Sequence, residues 1–252
     1  VSGLPNDLDY TGRVVAVTGV ARAGQVGEAL AAGFLAAGAS VAILDREAEG
    51  LAAREAELRA RHPGSRISAH PCDLTDPESA RQAAEAIHKV HGTQLHALVN
   101  AAGGFAMTGD LAASDPQSWH RMFAINLTTA YVATRAFLPM LRAGKGAICY
   151  FGSTAALSGG NGARMSAYAA AKAGVLSLMQ SVAEEERSSG VRANAIVPTA
   201  VRTAQNERDM GSDAGYVERE EVARLALWLC APGGAAVVTG QAIVAAPSSS
   251  GR

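Results

Sequence analysis

The sequence predicts an α/β fold built on a doubly wound parallel β-sheet with helices on both faces. Three observations lead there. Short β-branched runs alternate with longer helical stretches, hydrophobic residues make up 48% of the 252-residue chain, and no internal repeat or long low-complexity tract interrupts the order. The alternation is the mark of βαβ units, because parallel strands need a crossover, usually helical, between them. The apolar share is enough for a layered core around a central sheet. One domain over residues 1–252 is expected, with 1–11 and 246–252 as flexible ends.

Arg13-Val-Val-Ala-Val-Thr18 has the composition of a buried strand, and Gly24 to Ala37 follows as a small-residue helix. Ser40 to Leu44 reads as a second strand and Glu47 to Arg61 as a charged amphipathic helix that stops before Pro63. Arg66 to His70 is a third strand. Asp76-Pro77-Glu78 then opens a helix, with a capping carboxylate followed by proline in the first turn. Leu95 to Val99 is a fourth strand, a long helical region runs from about Pro116 to Arg142, and Ala147 to Phe151 is a fifth strand. A second long helix from about Ser166 to Ser188, a strand from Val191 to Val197, a helix from Glu218 to Cys230 and a short strand from Gln241 to Ala245 complete the order.

A formal net charge of −1, with both signs mixed along the chain, gives no reason to expect nucleic acid or an anionic membrane as a partner. Cys72, Cys149 and Cys230 are far apart with no Cys-x-x-Cys spacing, which fits a reduced, cytoplasmic setting better than a disulfide framework. The first residues lack a basic segment followed by an apolar one, so no signal peptide is expected. The weakly polar stretch Ala29 to Leu44 is broken by Gly33, Gly38 and Ser40 and is too short for a bilayer. His88, His91 and His96 gather near the end of one helix without accompanying carboxylate or cysteine ligands, so no metal site is expected. Arg164 reads as a surface side chain and Glu184 to Glu186 as a solvated helix face.

In doubly wound folds ligands sit beyond the carboxyl ends of the strands. Thr18-Gly-Val-Ala-Arg-Ala-Gly-Gln-Val-Gly27 leaves the first strand and opens the first helix. Glycines there let the backbone turn tightly and approach a pyrophosphate, which the helix N-terminus stabilises through unpaired N–H groups. Asp45 stands eighteen residues after Gly27, at the end of the second strand, where a carboxylate can accept hydrogen bonds from an adenosine ribose. Together these make the fold Rossmann-like. Tyr168 and Lys172 are four apart on one helix and share a face. A phenol of pKa about 10 is a poor acid or base near neutrality. An ammonium beside it favours the phenolate, and bringing the pKa to about 7 takes roughly 4 kcal/mol in a site that excludes water.

The ordered set Thr18-Gly19…Gly27, Asp73-Leu74, Asn100-Ala-Ala-Gly103, Asn126, Ser153, Tyr168-x-x-x-Lys172 and Pro198-x-x-Val201-x-Thr203 resembles the short-chain dehydrogenases/reductases, over about Gly12 to Gly240. The resemblance implies an NAD(P)-dependent oxidoreductase that moves a hydride between the nicotinamide and a ketone or secondary alcohol. It implies that Ser153 hydrogen-bonds the substrate oxygen, that Tyr168 gives or takes the hydroxyl proton, and that Lys172 binds the nicotinamide ribose and tunes Tyr168. Asn126 would hold a water linking Lys172 to solvent. Asp73, with Leu74 beside it, would meet the adenine, while Asn100, Ala101 and Gly103 would line the adenosine side. Pro198, Val201 and Thr203 would bracket the carboxamide and diphosphate. Gly19, Arg22, Gln25 and Val26 are the cofactor contacts expected from the turn.

Some residues depart from the family pattern. Ala23 and Gly24 lengthen the turn, and Gln25 stands where glycine is usual, so phosphate is expected to meet the N–H groups of Gln25 and Val26. Thr199 replaces a common glycine, the loop Gly159 to Arg164 is longer than usual, and Thr203 to Glu218 is short and rich in Gly, Asp and Ser, which predicts an open, mobile mouth. Asp45 favours NAD, whereas Arg22 and Arg46 favour the phosphate of NADP. NAD is expected, because an unpaired anion facing a phosphate costs more than a surface arginine returns. Phe105, Met107, Ala155, Leu157, Val201 and Met210 are expected around the nicotinamide, suiting a neutral, mainly apolar substrate. Small residues such as Ala169, Ala170 and Gly174, with the way relatives pair, imply a homodimer or homotetramer. The competing reading is a non-catalytic dinucleotide-sensing regulator. It predicts loss of one of Asn126, Ser153, Tyr168 and Lys172, and all four are present.

Overall fold

The computed structural model describes residues 8–213, 215–233 and 235–247. Seven parallel strands form one sheet in the order β3-β2-β1-β4-β5-β6-β7. They are β1 (Val14–Thr18), β2 (Ser40–Asp45), β3 (Ile67–Pro71), β4 (Ala97–Asn100), β5 (Ala147–Phe151), β6 (Arg192–Pro198) and β7 (Ala242–Ala245). Between them run α1 (Val26–Ala36), α2 (Ala48–Arg61), α3 (Pro77–His91), α4 (Pro116–Phe123), α5 (Thr129–Gly144), α6 (Ser166–Glu185), α7 (Ala204–Met210) and α8 (Arg219–Cys230).

Strand side chains alternate between two cores, as the period of a strand requires. Val15, Val17, Val41 and Ile43 pack with Leu30 and Phe34 of α1, Leu51 and Leu58 of α2, and Ala226 of α8. Ala16, Ala42, Leu44 and Ile148 point to the other face, against Ile87 of α3, Phe137 of α5 and Met179 of α6. Caps place the helix starts. Asp76 accepts the Glu78 N–H and precedes Pro77, and Asp115 accepts the N–H groups of Gln117 and Ser118 and precedes Pro116.

Four expectations need correction. Tyr10 does not belong to a loose end. It is fully buried, stacks edge-on against Phe34 at 5.0 Å and donates its hydroxyl to the Leu227 carbonyl at 2.6 Å. Residues 1–7 and 248–252 of the expected flexible ends lie outside the described residues. The helical region after Pro116 is interrupted by a π turn at Ala124–Thr128, where the Asn126 amide bonds outside the helix. The segment after Thr203 is not simply an open loop: it folds as α7, capped by the Thr203 hydroxyl on the Asn206 N–H and held by Arg202 on Glu207 and Glu218. Finally, only His88 and His91 of the three histidines lie in the last turn of α3, and His96 directly precedes β4. His96 accepts the Val14 N–H on Nδ1, and His91 meets Ser68. No described helix is long and apolar enough to cross a membrane.

Candidate active site

The sheet winds outward in both directions from β1 and β4, so the loops that follow these two strands part and leave a crevice above them. The cleft there measures about 460 Å³. Thr18 ties its two walls together, donating to the Val99 carbonyl and accepting the Ala102 N–H. The walls are so close that side chains do not fit. A Cβ on Gly19, which has φ of 77°, would stand 2.8 Å from the Ala102 backbone, and one on Gly27 would stand 2.1 Å from the Gly19 carbonyl oxygen. Gln25 caps α1 without a side-chain hydrogen bond, so the first turn keeps its N–H groups for the cleft. In the lengthened turn Gly24 faces Ala204 and the Arg219 guanidinium.

Gly19, Arg22, Gln25 and Val26 line the cleft as expected, and so do Asp45, Asp73, Leu74, Ala101 and Gly103. Asp45 Oδ2 accepts the Ala21 N–H at 3.0 Å and Oδ1 accepts the Glu47 N–H at 3.2 Å. Asp73 is held below the usual carboxylate range, first by the Thr75 hydroxyl and N–H and then by the Arg46 guanidinium. Asn100 departs from expectation and is buried behind the cleft. Its amide donates to Thr134, leaving Oδ1 without a partner, because β4 turns this side chain inward toward α5.

At the other end, Tyr168, Lys172, Pro198, Val201 and Thr203 all line the cleft. Lys172 is buried, and its ammonium donates to the Phe151 carbonyl at 2.9 Å while lying 5.9 Å from the centre of the Tyr168 ring. Burial pushes it down to about 8. Ser153, buried after β5, caps the following turn by accepting the Ala155 N–H and does not itself line the cleft, and its hydroxyl lies near enough to Tyr168 to draw the phenol down. Burial raises the Tyr168 phenol above its ordinary value, and Ser153 only partly offsets this. Lys172 is expected to draw the phenol down, but the direction here is set by desolvation of the phenol, and the ammonium is directed at Phe151. Phe105 adds to that desolvation, standing edge-on to the Tyr168 ring at 5.1 Å and 89°.

Asn126 is buried in the π turn and lines the cleft. Its amide donates to the carbonyls of Gly104 and Met122, and its Oδ1 accepts the Gly104 N–H. The side chain thus fastens the loop after β4 to the helix, and a Cβ on Gly103 would strike it at 2.7 Å.

Of the six apolar residues expected near the nicotinamide, Phe105 and Val201 line the cleft, while Met107, Ala155, Leu157 and Met210 do not. Polar residues that the sequence reading missed come from α7: Gln205, Asn206 and Asp209. Met122, Ile125 and Thr129 were also missed, although their spacing around Asn126 places them on one helical face. Arg164 acts mainly through its backbone. In a left-handed conformation, φ 62°, its carbonyl accepts the N–H groups of Thr108 and Gly109 and joins two loops.

The described residues thus bring a glycine cradle, the anchored Asp45 carboxylate, Tyr168 and buried Lys172 into one cleft, with buried Ser153 beside Tyr168. The family model for short chain dehydrogenase matches residues 13–212. The chain is 36% identical over 202 residues to 2-(S)-hydroxypropyl-CoM dehydrogenase 3 of Xanthobacter autotrophicus, covering 79% of this chain and 76% of that protein. It is 32% identical to D-threitol dehydrogenase of Mycolicibacterium smegmatis, covering 94% and 93%. An NADPH-bound short chain oxidoreductase from Pseudomonas aeruginosa PAO1, described as containing an atypical catalytic center, superposes with a TM-score of 0.86 at 31% identity, covering 97% and 98%. The chain belongs to the short-chain dehydrogenase family and is a hydride-transferring oxidoreductase.

Proposed function

We propose that this protein interconverts a neutral secondary alcohol and its ketone with a nicotinamide cofactor, NAD in preference to NADP, and that Tyr168 is the general acid and base. The observation that carries the reading is that Tyr168 and Lys172, with Ser153 beside Tyr168, stand at one end of a cleft whose other end is the glycine cradle. When bound, the nicotinamide supplies the hydride acceptor or donor. The remaining work falls to this chain. In oxidation Tyr168, as phenolate, takes the proton from the substrate hydroxyl; in reduction its phenol returns it to the carbonyl oxygen. The Ser153 hydroxyl donates to the same oxygen and steadies its charge. The Lys172 ammonium, directed at the Phe151 carbonyl and 5.9 Å from the centre of the Tyr168 ring, would hold the nicotinamide ribose. Asn126, committed to Gly104 and Met122, is a positioning residue that keeps the cleft wall in place.

Asp45 supports NAD: its two oxygens are anchored by N–H groups and retain lone pairs for ribose hydroxyls, and its charge repels a phosphate. Phe105 and Val201 support an apolar substrate body. Steady-state kinetics by nicotinamide absorbance, with both cofactors across apolar ketones, polyols and dicarboxylates, tests the whole reading. The expected outcome is highest kcat/KM for an apolar ketone or alcohol with NAD. A clear preference for a dicarboxylate would overturn the substrate class, and a tenfold or greater preference for NADP would overturn the cofactor assignment. The same reading takes the chain as a homodimer or homotetramer pairing through α4, α5 and α6, where Trp119 and Tyr131 are exposed; light scattering that finds only monomer at micromolar concentration would remove that part.

A further inference from the structure

Arg22 is the only cation in the turn Thr18–Gly27. Its guanidinium is engaged with Glu47, at 3.6 Å between Nη2 and Oε1, in a pair whose side chains are 67% and 46% exposed. Asp45 keeps this pair in register. One of its oxygens binds the N–H of Ala21, the residue before Arg22, and the other binds the N–H of Glu47 itself. Both partners therefore hang from backbone pinned to a single carboxylate, and both line the cleft. Arg46, the neighbouring cation, also acts on a carboxylate, that of Asp73.

Resting on the reading that this end of the cleft receives the adenosine ribose, we infer that Glu47 is a specificity-determining residue: it occupies Arg22 and so denies a ribose 2′-phosphate the cation of the turn. Discrimination against a ligand is built as much from withheld or repelling charge as from contacts to the preferred one. An unengaged arginine would be a strong phosphate partner, because its planar fork donates two parallel hydrogen bonds. With Glu47 in place, the phosphate must displace a carboxylate and then sit beside both it and Asp45. Glu47 thus acts in addition to Asp45 and through a different atom set. An exposed pair of this kind moves a binding constant by about fivefold at most, which sets the size of the effect to look for.

The test is calorimetric titration at low ionic strength, where surface charge is least screened. The ligands are NAD, NADP and 2′,5′-ADP, and the proteins are the parent, Glu47→Gln, Arg22→Met and the double variant, each checked for fold by circular dichroism. Glu47→Gln is expected to tighten NADP and 2′,5′-ADP by about fivefold and leave NAD within about twofold. In the Arg22→Met background the same change is expected to do less than about twofold, since the coupling between the two residues is then gone. No gain on Glu47→Gln, or an equal gain in both backgrounds, would overturn the inference, the second by showing that Glu47 acts through its own charge alone. Failure of the parent to bind any of the three ligands would instead overturn the ribose-site reading on which it rests.

Discussion

At the glycine-turn end of the cleft the charged side chains Arg22, Arg46 and Glu47 are exposed, and they meet one another or Asp73 across solvent. At the Tyr168 end Lys172 and Ser153 are buried, and Phe105 stands edge-on against the Tyr168 ring. In the first region water screens each charge, so each pair contributes little to stability and a substitution alters preference rather than folding. In the second region removal from water is itself the dominant influence: it lowers Lys172 to about 8 and raises Tyr168. A group poised for proton transfer needs that shielding, and the fold has to supply the stability to hold it.

The sharpest break in the comparison is Tyr168→Phe. It removes only a hydroxyl, so kcat is expected to fall by about 10² to 10⁴, while calorimetry finds dinucleotide affinity within about threefold of the parent. Turnover within a few-fold of the parent would show that the buried end does not carry the proton.

Lys172→Met separates function from stability. In the folded protein the lysine titrates near 8, against an ordinary value of 10.5. Below pH 8 the folded state holds a charge that burial disfavours; between 8 and 10.5 the unfolded state binds more protons, so parent stability rises with pH. The variant should be nearly inactive yet more stable than the parent at pH 7, by up to about 3 kcal/mol, and the gain should shrink toward zero by about pH 10.5. Thermal melts across that range decide it. A variant less stable at pH 7 would mean that the ammonium's bond to the Phe151 carbonyl outweighs its desolvation.

The smallest expected effect is at the exposed end. Asp45→Ala should move the ratio of NADP to NAD affinity by about tenfold toward NADP, with Asp45→Asn falling between. Loss of affinity for both cofactors alike would show that Asp45 serves chiefly to anchor Ala21 and Glu47.

The strands and most helices were legible in the sequence because buried parallel strands are short, continuous and apolar, and because Asp76-Pro77 and Asp115-Pro116 mark helix starts with local chemistry. Tyr168 and Lys172 were legible for a similar reason, since helical spacing alone puts them on one face. Helix α7 was not. Its residues carry no apolar periodicity, and it is held by contacts with residues on either side: Arg202 to Glu207 and Glu218, and the Tyr216 hydroxyl to the carbonyls of Asn206 and Gly211. The π turn at Asn126 was equally silent, because the side chain it presents bonds to Gly104, twenty-two residues away.

By itself the sequence determined the α/β order, the glycine turn, the family and the identity of the groups available for proton transfer, since all of these are written in spacing and residue type. Tertiary structure alone decided that Asn100 faces the interior, that Asn126 fastens a loop, that Arg22 is engaged by Glu47, and that desolvation raises the Tyr168 phenol. The physical reason is common to all four. Hydrogen bonding, ion pairing and removal from water depend on which atoms meet in space, and the partners here come from different strands, loops and helices.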